Sequence, residues 1–276
     1  MKRSCVIGWP IKHSRSPLIH GYWLKSLGIE GSYTKEEVNP KDLSQFLHSL
    51  SQRGFMGCNV TVPHKESALE IVHFKDEASR QIGAVNTIWI EHNKLCATNT
   101  DAYGFMTYLN KKAPKWRNKD APIGILGAGG AARAIVYAFL KEGVECIQIF
   151  NRSFSRSEEL VSHFGSRVKA CFWENRKKDA GQCGVLVNAT SLGMEGCGDL
   201  DIDFNLFRSD AVVSDIVYVP LETDFLKKAK EHNLATVDGL GMLLHQAVPG
   251  FEKWFGQRPE VTEDLYQLIV DDIKKQ

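Results

Sequence analysis

The stretch IGILGAGGAARAIVYAFLKEGVECIQIFNRS, residues 123–153, decides the fold. It opens on a short apolar run of the kind a buried strand needs. It turns through Gly127-Ala128-Gly129-Gly130-Ala131-Ala132, runs on as a helical pattern, and closes on a second apolar run at 147–150. The turn matches G-x-G-x-x-A. In that motif the first glycine permits the tight turn and the second lets the backbone approach a pyrophosphate. The third small residue lets the helix pack closely on the strand. The start of the helix offers free amides and the positive end of its dipole. A G-x-G-x-x-A alone is a weak signal; strand before it and helix and strand after it supply the context that makes it a dinucleotide-binding unit.

The end of the second strand selects the nucleotide. An NAD site places a carboxylate there for the ribose hydroxyls. Here Asn151, Arg152 and Ser153 occupy the position, Arg156 is near, and no carboxylate occurs until Glu158. A guanidinium offers a permanent planar charge to a 2′-phosphate, which a carboxylate would repel. The expected cofactor is NADP. The competing reading makes Arg152 a solvated surface residue and the site indifferent between the two nucleotides.

Outward from this unit the α/β alternation continues. VKACF, CGVLVNAT and AVVSDIVY read as strands, residues 222–231 as a helix, and 234–237 as a short strand. On the N-terminal side SCVIGW, GSYTKEEV, residues 56–62, 84–89 and 95–98 read as strands, the last two paired around a turn at His92-Asn93. PLIHGYWLKSLG and DLSQFLHSLSQRG read as helices. Residues 110–122 are basic, carry two prolines, and mark a domain boundary. The tail GLGMLLHQAVPGFEKWFG is a helical pattern interrupted near Pro249, and PEVTEDLYQLIVDDIKK is a last amphipathic helix. These helices need a partner surface. The expected architecture is two-domain α/β: residues 1–110 with 240–276 as an N-terminal α/β substrate domain to which the C-terminal helices return, and residues 111–239 as a Rossmann-like, doubly wound nucleotide-binding domain.

Composition narrows the function class. Lys and Arg number 34 against 33 Asp and Glu, a formal charge of +1, which argues against nucleic-acid and membrane-surface partners. No apolar run approaches the length of a membrane span, and the first residues read as a strand instead of a secretory signal. Seven cysteines, with no C-x-x-C pair, read as reduced thiols of a cytoplasmic protein. The nine histidines form no metal-ligand spacing, so no metal is expected.

Four polar clusters stand at strand ends where apolar residues would be expected. They are His13-Ser14-Arg15-Ser16-Pro17; Asn59, Thr61 and His64-Lys65; Gly83 to Thr87 with Asn86; and Thr98-Asn99-Thr100-Asp101. Plain roles exist for some of them. Ser16 can cap a helix with Pro17 in its first turn, and Asp101 can cap the next one. Together they suggest a site for a small polar molecule at one sheet edge. A lysine beside an aspartate there can donate to an alcohol or carbonyl oxygen and stabilise charge during hydride transfer.

The motifs GWPIKHSRSP, NVTVPHKE, GAVNT, NTDAYG, GAGGAARA, NRS, NATSLGM, DIVYVPLET and DGLGMLLHQA, in this order, resemble the shikimate dehydrogenase family. The resemblance implies reversible NADPH-dependent reduction of 3-dehydroshikimate to shikimate, in aromatic amino acid biosynthesis, and a cleft between the two domains. It implies Lys65 and Asp101 as the catalytic pair. Ser14, Ser16 and Thr61 would meet the substrate carboxylate; Asn86, Asp101 and Gln246 its ring hydroxyls; and Tyr218 another part of it. Gly127, Ala128, Gly129, Gly130 and Ala131 would hold the cofactor phosphates. Asn151, Arg152 and Ser153 would clamp the adenosine phosphate, with Thr190, Ser191, Gly239 and Met242 nearer the nicotinamide. Val219 and Asp224 depart from the family's frequent asparagine and proline, which implies an adjusted loop. The partner expected is a small molecule; a homodimer is one possible assembly. Two alternatives stay open: a quinate/shikimate enzyme accepting NAD, and a non-catalytic nucleotide-sensing protein in which Lys65 and Asp101 are dispensable.

Overall fold

Each half of the architecture is built on one six-stranded sheet. The computed structural model describes residues 1–117 and 120–275. The chain divides into one unit of Met1–Asp101 with Leu244–Lys275 and a second of Ala102–Leu243. Residues 118 and 119 of the expected linker lie outside the described residues.

In the first unit the chain forms β1 (Lys2–Gly8), α1 (Ser16–Ser26), β2 (Gly31–Glu37), α2 (Leu43–His48), β3 (Gly57–Val60), α3 (Lys65–Ile71), β4 (Phe74–Lys75), α4 (Glu77–Ile82), β5 (Thr87–Glu91) and β6 (Lys94–Thr98). The helix α5 (Asp101–Lys112) starts at the division. The sheet order is β2-β1-β3-β5-β6-β4. β1 runs parallel to β2 and β3, while β5 is antiparallel to both β3 and β6. The single reversed strand has a geometric result. The C-terminal ends of β1, β3 and β6 and the N-terminal end of β5 all lie at one sheet edge. Loops carrying Ser14, Thr61, Asn86 and Asp101 therefore leave or enter the sheet on the same side. The β5–β6 turn is made by His92 and Asn93, both with φ near +50 to +60° (49° and 59°), as the sequence suggested.

The second unit contains β7 (Ile123–Leu126), α6 (Gly130–Lys141), β8 (Ile147–Asn151), α7 (Phe154–Phe164), β9 (Val168–Phe172), α8 (Arg176–Asp179), β10 (Val185–Asn188), β11 (Val212–Asp215), α9 (Asp224–Glu231) and β12 (Ala235–Val237). All pairings are parallel, in the order β12-β11-β10-β7-β8-β9. This is the doubly wound arrangement, and its strand order reverses between β7 and β10. Ile125, Leu126, Ile149, Phe150, Val185 and Val187 are wholly buried, as strands covered on both faces must be. Each side chain of this size contributes about 1.5–3 kcal/mol on burial. On α6, Ala132, Ile135, Val136 and Phe139 supply the matching helix face.

The chain then enters α10 (Gly239–Phe255) and α11 (Glu263–Lys274). α10 is continuous through Pro249, so the expected interruption does not occur. Proline there removes one ladder hydrogen bond. Val248, Phe251 and Trp254 around it are buried, and their packing holds the helix together. In the first unit Trp254 Nε1 donates to the Ile88 carbonyl on β5 at 2.9 Å, and Arg15 Nε meets Asp272 on α11 at 2.9 Å. The sequence reading also omitted α3, β4, α4, α7 and α8, and gave α2 too long a run. α2 stops at His48, and the turns after it end at Gly54 with φ +76°. α4 is delimited by the Asp76 carboxylate, which accepts from Ser79 N, and by left-handed Gly83.

All seven cysteines are free, and among the described residues no group of three His, Cys, Asp or Glu could hold a metal ion. No helix among the described residues is long and apolar enough to cross a membrane.

Candidate active site

Asn59, near the end of β3, pairs with Thr87 at the start of β5, and Thr87 pairs with Thr98 at the end of β6. This register puts three of the polar clusters side by side. Lys65 is the first residue of α3, reached from β3 through Thr61, Val62, Pro63 and His64. His64 and Lys65 turn to different tasks. His64 is buried and its Nε2 donates to the Val38 carbonyl at 2.8 Å. Burial lowers its pKa, so it is a neutral strut. Lys65 Nζ instead donates to Asp101 Oδ2 at 2.5 Å. The side chains of the pair are 26% and 10% exposed, so the ion pair is partly open and a small molecule can reach it.

Asp101 is the first residue of α5, and its carboxylate serves Lys65 and Asn86. Its backbone N–H is taken by the Asn99 side chain at 3.0 Å. Asn86 Nδ2 donates to Asp101 Oδ1 at 2.8 Å and lies 3.3 Å from Gln246 Oε1 on α10. Thr100 fastens the same corner: its hydroxyl donates to the Gln246 carbonyl at 2.7 Å. Lys65, Asn86, Asp101 and Gln246 thus meet within the first unit.

Ser14 and Ser16 stand in the same unit on the loop after β1. The capping role expected of Ser16 is corrected by the structure. Ser16 is the first residue of α1, Arg15 stands at the cap position, and no side chain caps the helix in the usual way. Ser14 Oγ accepts from the Ser16 N–H at 3.3 Å and donates to Ser16 Oγ at 3.3 Å. The two hydroxyls are therefore neighbours. Thr61, half-buried, follows β3 on the same edge, and an added Cβ at Gly8 would come within 2.7 Å of its methyl group. Small size at Gly8 lets the β1 and β3 ends approach.

The second unit holds the remaining residues. Gly127 has φ +105°, a conformation that glycine adopts without strain. A Cβ there would lie 3.0 Å from the Ala189 carbonyl and the Thr190 methyl group. The turn after β7 is thereby held against the loop after β10, at the point where the strand order reverses. Gly129 takes the N-cap position of α6 with no side-chain cap, and a Cβ at Gly129 or Gly130 would meet nothing within 4 Å. Uncapped amides at a helix start, flanked by open room beside the backbone, fit a pyrophosphate. Ala128 and Ala131 complete the turn without bulk.

At the end of β8, Asn151 Nδ2 donates to the Ser153 carbonyl at 2.8 Å, and Ser153 Oγ lies 3.0 Å from Ser155 Oγ. Arg152 and Arg156 are exposed beside the uncapped start of α7. Two guanidinium groups, two hydroxyls and a helix N-terminus suit a phosphate monoester. Thr190 is fixed by Asn188 Oδ1, which accepts from its N–H at 3.0 Å and its hydroxyl at 2.7 Å; Ser191 follows it. Tyr218 and Met242 are half-buried. Gly239 opens α10, where a Cβ would be 2.3 Å from the Ile216 carbonyl, so this glycine is set by close backbone packing.

The sequence reading passed over four residues that organise these sites. Tyr33 is buried on β2 and donates to Asn59 Oδ1 at 2.6 Å. Strand alternation in GSYTKEEV would have turned it inward. Asp215 and Asn188 are wholly buried at the ends of β11 and β10, polar residues in apolar runs. Asp238 accepts from the Tyr108 hydroxyl at 2.7 Å and from Leu240 N at 3.0 Å, capping α10.

Three family models match the chain: shikimate dehydrogenase substrate binding domain at residues 6–88, shikimate/quinate 5-dehydrogenase at 109–195, and shikimate 5′-dehydrogenase C-terminal domain at 239–264. The shikimate dehydrogenase (NADP(+)) of Brucella abortus (strain S19) is 54% identical over 99% of this chain and 96% of its own. The chain is similar to the crystal structure of shikimate 5-dehydrogenase from Thermus thermophilus in complex with NADP(H) and shikimate, with a TM-score of 0.85 and 34% identity over 100% and 99% of the two chains. It is also similar to quinate dehydrogenase from Corynebacterium glutamicum in complex with NAD, with a TM-score of 0.90 and 28% identity over 98% and 99%.

Proposed function

The chain belongs to the shikimate dehydrogenase family, and we propose on that premise that Lys65 and Asp101 are the pair that handles the reacting oxygen. The reaction is the reversible, NADPH-dependent reduction of 3-dehydroshikimate to shikimate. The observation that carries the residue assignment is the 2.5 Å contact of Lys65 Nζ with Asp101 Oδ2, with Asn86 on the other carboxylate oxygen.

NADPH supplies the hydride when bound. Lys65 points an ammonium at the carbonyl oxygen, stabilises the charge that grows there, and gives it a proton as the alcohol forms. In the reverse direction the same group receives that proton. Asp101 holds the ammonium in place and accepts from a substrate hydroxyl. Asn86 and Gln246 present further amide groups to the ring hydroxyls. Ser14, Ser16 and Thr61 provide hydroxyls for the carboxylate. Gly127 to Ala131 cradle the pyrophosphate; Asn151, Arg152 and Ser153 take the 2′-phosphate. Thr190, Ser191, Tyr218, Gly239 and Met242 are assigned to the nicotinamide and substrate side.

The relatives include enzymes named for both shikimate and quinate. The absence of a carboxylate before Glu158 and the presence of Arg152 and Arg156 support NADP over NAD. The test is an absorbance assay of cofactor reduction crossing shikimate and quinate with NADP and NAD. Turnover concentrated on shikimate with NADP supports the reading; equal turnover with quinate or NAD overturns its specificity.

Seven free cysteines support a cytoplasmic site of action. Phe74, 55% exposed on the edge strand β4, supports a homodimer; a light-scattering mass of one chain would end that part.

A further inference from the structure

Asn188 and Asp215 are register partners on the parallel strands β10 and β11, and both side chains are wholly buried at the strand ends. An amide or carboxylate left unpaired there would cost the fold free energy, so the partners of each atom can be followed. The Asn188 amide has no freedom. The Thr190 backbone N–H, which only donates, meets Oδ1 at 3.0 Å, and the Leu192 carbonyl, which only accepts, meets Nδ2 at 2.9 Å. These two contacts fix which end of the amide is oxygen. The second lone pair of Oδ1 takes the Thr190 hydroxyl at 2.7 Å, and the second hydrogen of Nδ2 goes to Asp215 Oδ1 at 2.9 Å. These four bonds use the whole capacity of the side chain, so Asn188 has nothing left for a ligand.

Thr190 is the residue this arrangement serves. Its one hydroxyl proton is given to Asn188, and its oxygen receives the Leu192 N–H at 3.0 Å. What the hydroxyl can still offer a ligand is a lone pair, which suits an N–H or O–H of a cofactor and not a phosphate oxygen. Its methyl group stands against the phosphate turn: a Cβ at Gly127 would lie 3.0 Å from it. The turn after β7 and the loop after β10 are thus two walls in contact, and Asn188 fixes the rotamer of the residue where they touch.

Asn188 is itself braced. Asp215 accepts from it and from Val217 N with the same oxygen, at 2.9 Å each, and from the Thr223 hydroxyl with the other at 2.7 Å. The backbone adds further ties at this corner. Ala189 N donates to the Leu126 carbonyl at 2.8 Å, and Ile216 N to the Asn188 carbonyl at 3.1 Å. Thr190 is half-buried and Ser191 exposed, so the loop reaches the surface immediately beyond the brace. An apolar pair at 188 and 215 would fill the same space with no polar group to satisfy, and would leave Thr190 free to turn.

We propose that Asn188, braced by Asp215, is a positioning residue of the reaction: it locks Thr190 and the loop that follows against the Gly127 turn and so presents them in one conformation to the nicotinamide half of NADP. The inference deepens the reading above and rests on its assignment of Gly127 to Ala131 and of Thr190 to the cofactor. A hydride passes only from a ring held at reacting distance and angle, and a wall that cannot turn supplies part of that restraint.

The test uses the full-length enzyme and two probes: NADPH, and 2′,5′-ADP, which carries the adenosine phosphates and no nicotinamide. Asn188→Ala is expected to raise the dissociation constant for NADPH by about tenfold and to lower kcat by about tenfold, while the inhibition constant of 2′,5′-ADP stays within about twofold. A merely structural residue would loosen the whole unit and move both constants together. Thr190→Val keeps a methyl group against Gly127 and removes the bond to Asn188. It weakens NADPH by about threefold and spares 2′,5′-ADP, and Thr190→Ser, which returns the hydroxyl, recovers most of that loss. Combined with Asn188→Ala, Thr190→Val costs no more than Asn188→Ala alone, because both break one bond. The two Thr190 variants decide the matter should Asn188→Ala fail to fold. The proposal is overturned by an Asn188→Ala enzyme with normal NADPH affinity, by equal losses for both probes, by losses that multiply in the double variant, or by a Thr190→Val enzyme that matches wild type. Gly129→Asp separates the two levels, because it sets a carboxylate in the open room at the start of α6. If Gly129→Asp binds NADPH normally, the cofactor-site reading itself is wrong; if it loses NADPH while Asn188→Ala keeps it, only the positioning role is lost.

Discussion

Two buried carboxylates, one in each unit, meet opposite fates. Asp101 lies at the end of the first sheet with a lysine against one oxygen and an amide against the other, and the pair can be reached from outside. Asp215, at the end of β11, is sealed from solvent and meets only neutral donors. Asn188 Nδ2 and Val217 N donate to one of its oxygens at 2.9 Å each, and Thr223 donates to the other at 2.7 Å. Burial outweighs these bonds and pushes its pKa up to about 6. The first acid carries a counter-charge that is partly exposed. The second is a knot that joins the loop after β10, the loop after β11 and the start of α9. The lesson is that burial of an acid does not by itself mark chemistry; a reachable counter-charge does.

The comparison is most easily broken at Lys65. Lys65→Ala is expected to lower kcat by about 10²–10⁴-fold while the dissociation constant for NADPH, measured by fluorescence titration, stays as it was. A folded variant with near-normal turnover would leave Asp101 no more catalytic than Asp215. Asp101→Asn keeps the shape and removes the charge, and should lower kcat by roughly 10²-fold. Steady-state rates matching the wild type would show that the pairing is structural.

In the second unit the charge that matters is expected to be on Arg152. Arg152→Ala should raise the KM for NADP by about 10–100-fold and leave that for NAD nearly unchanged. Equal losses with both nucleotides would remove it from the selection of the cofactor.

Asp215 gives the sharpest contrast. Its folded pKa is raised from 3.8 to about 6, so the fold holds the proton more tightly than the unfolded chain does. The stability this adds is complete below the unfolded value and is lost as pH rises through 6. Asp215→Asn has no such loss. The variant's unfolding free energy, relative to wild type, should therefore increase by about 2–3 kcal/mol between acid and neutral pH. Urea melts that run parallel across that range would show that Asp215 does not titrate there.

Legibility in the sequence followed the range of the forces involved. The second unit was plain because its information is local. One turn, one helix and one strand in a row carry the phosphate site, and an apolar run is enough to identify a strand buried on both faces. The pairing of Lys65 with Asp101 spans 36 positions, and residue chemistry alone could only suggest it. It depends on β5 running against its neighbours, a fact of sheet order that strand patterns do not encode. Tyr33 was missed for the same reason: its inward direction follows from alternation, but its partner lies across two strands. Pro249 misled because propensity speaks only for the isolated helix, while Phe251 and Trp254 anchor it from outside.

The first unit is made from both ends of the chain. Gly57 on β3 is so close to Trp254 that an added Cβ would lie 2.3 Å from its indole nitrogen, and the same nitrogen holds Ile88 on β5. During synthesis the strands that lead to Lys65 and Asp101 emerge first but lack this indole until residues 244–275 follow. The cofactor-binding segment between them is complete earlier. A nascent or truncated chain would therefore be able to shape its nucleotide loop before its substrate edge has a finished core, and for that interval the ribosome would carry a half-built enzyme with an exposed sheet face.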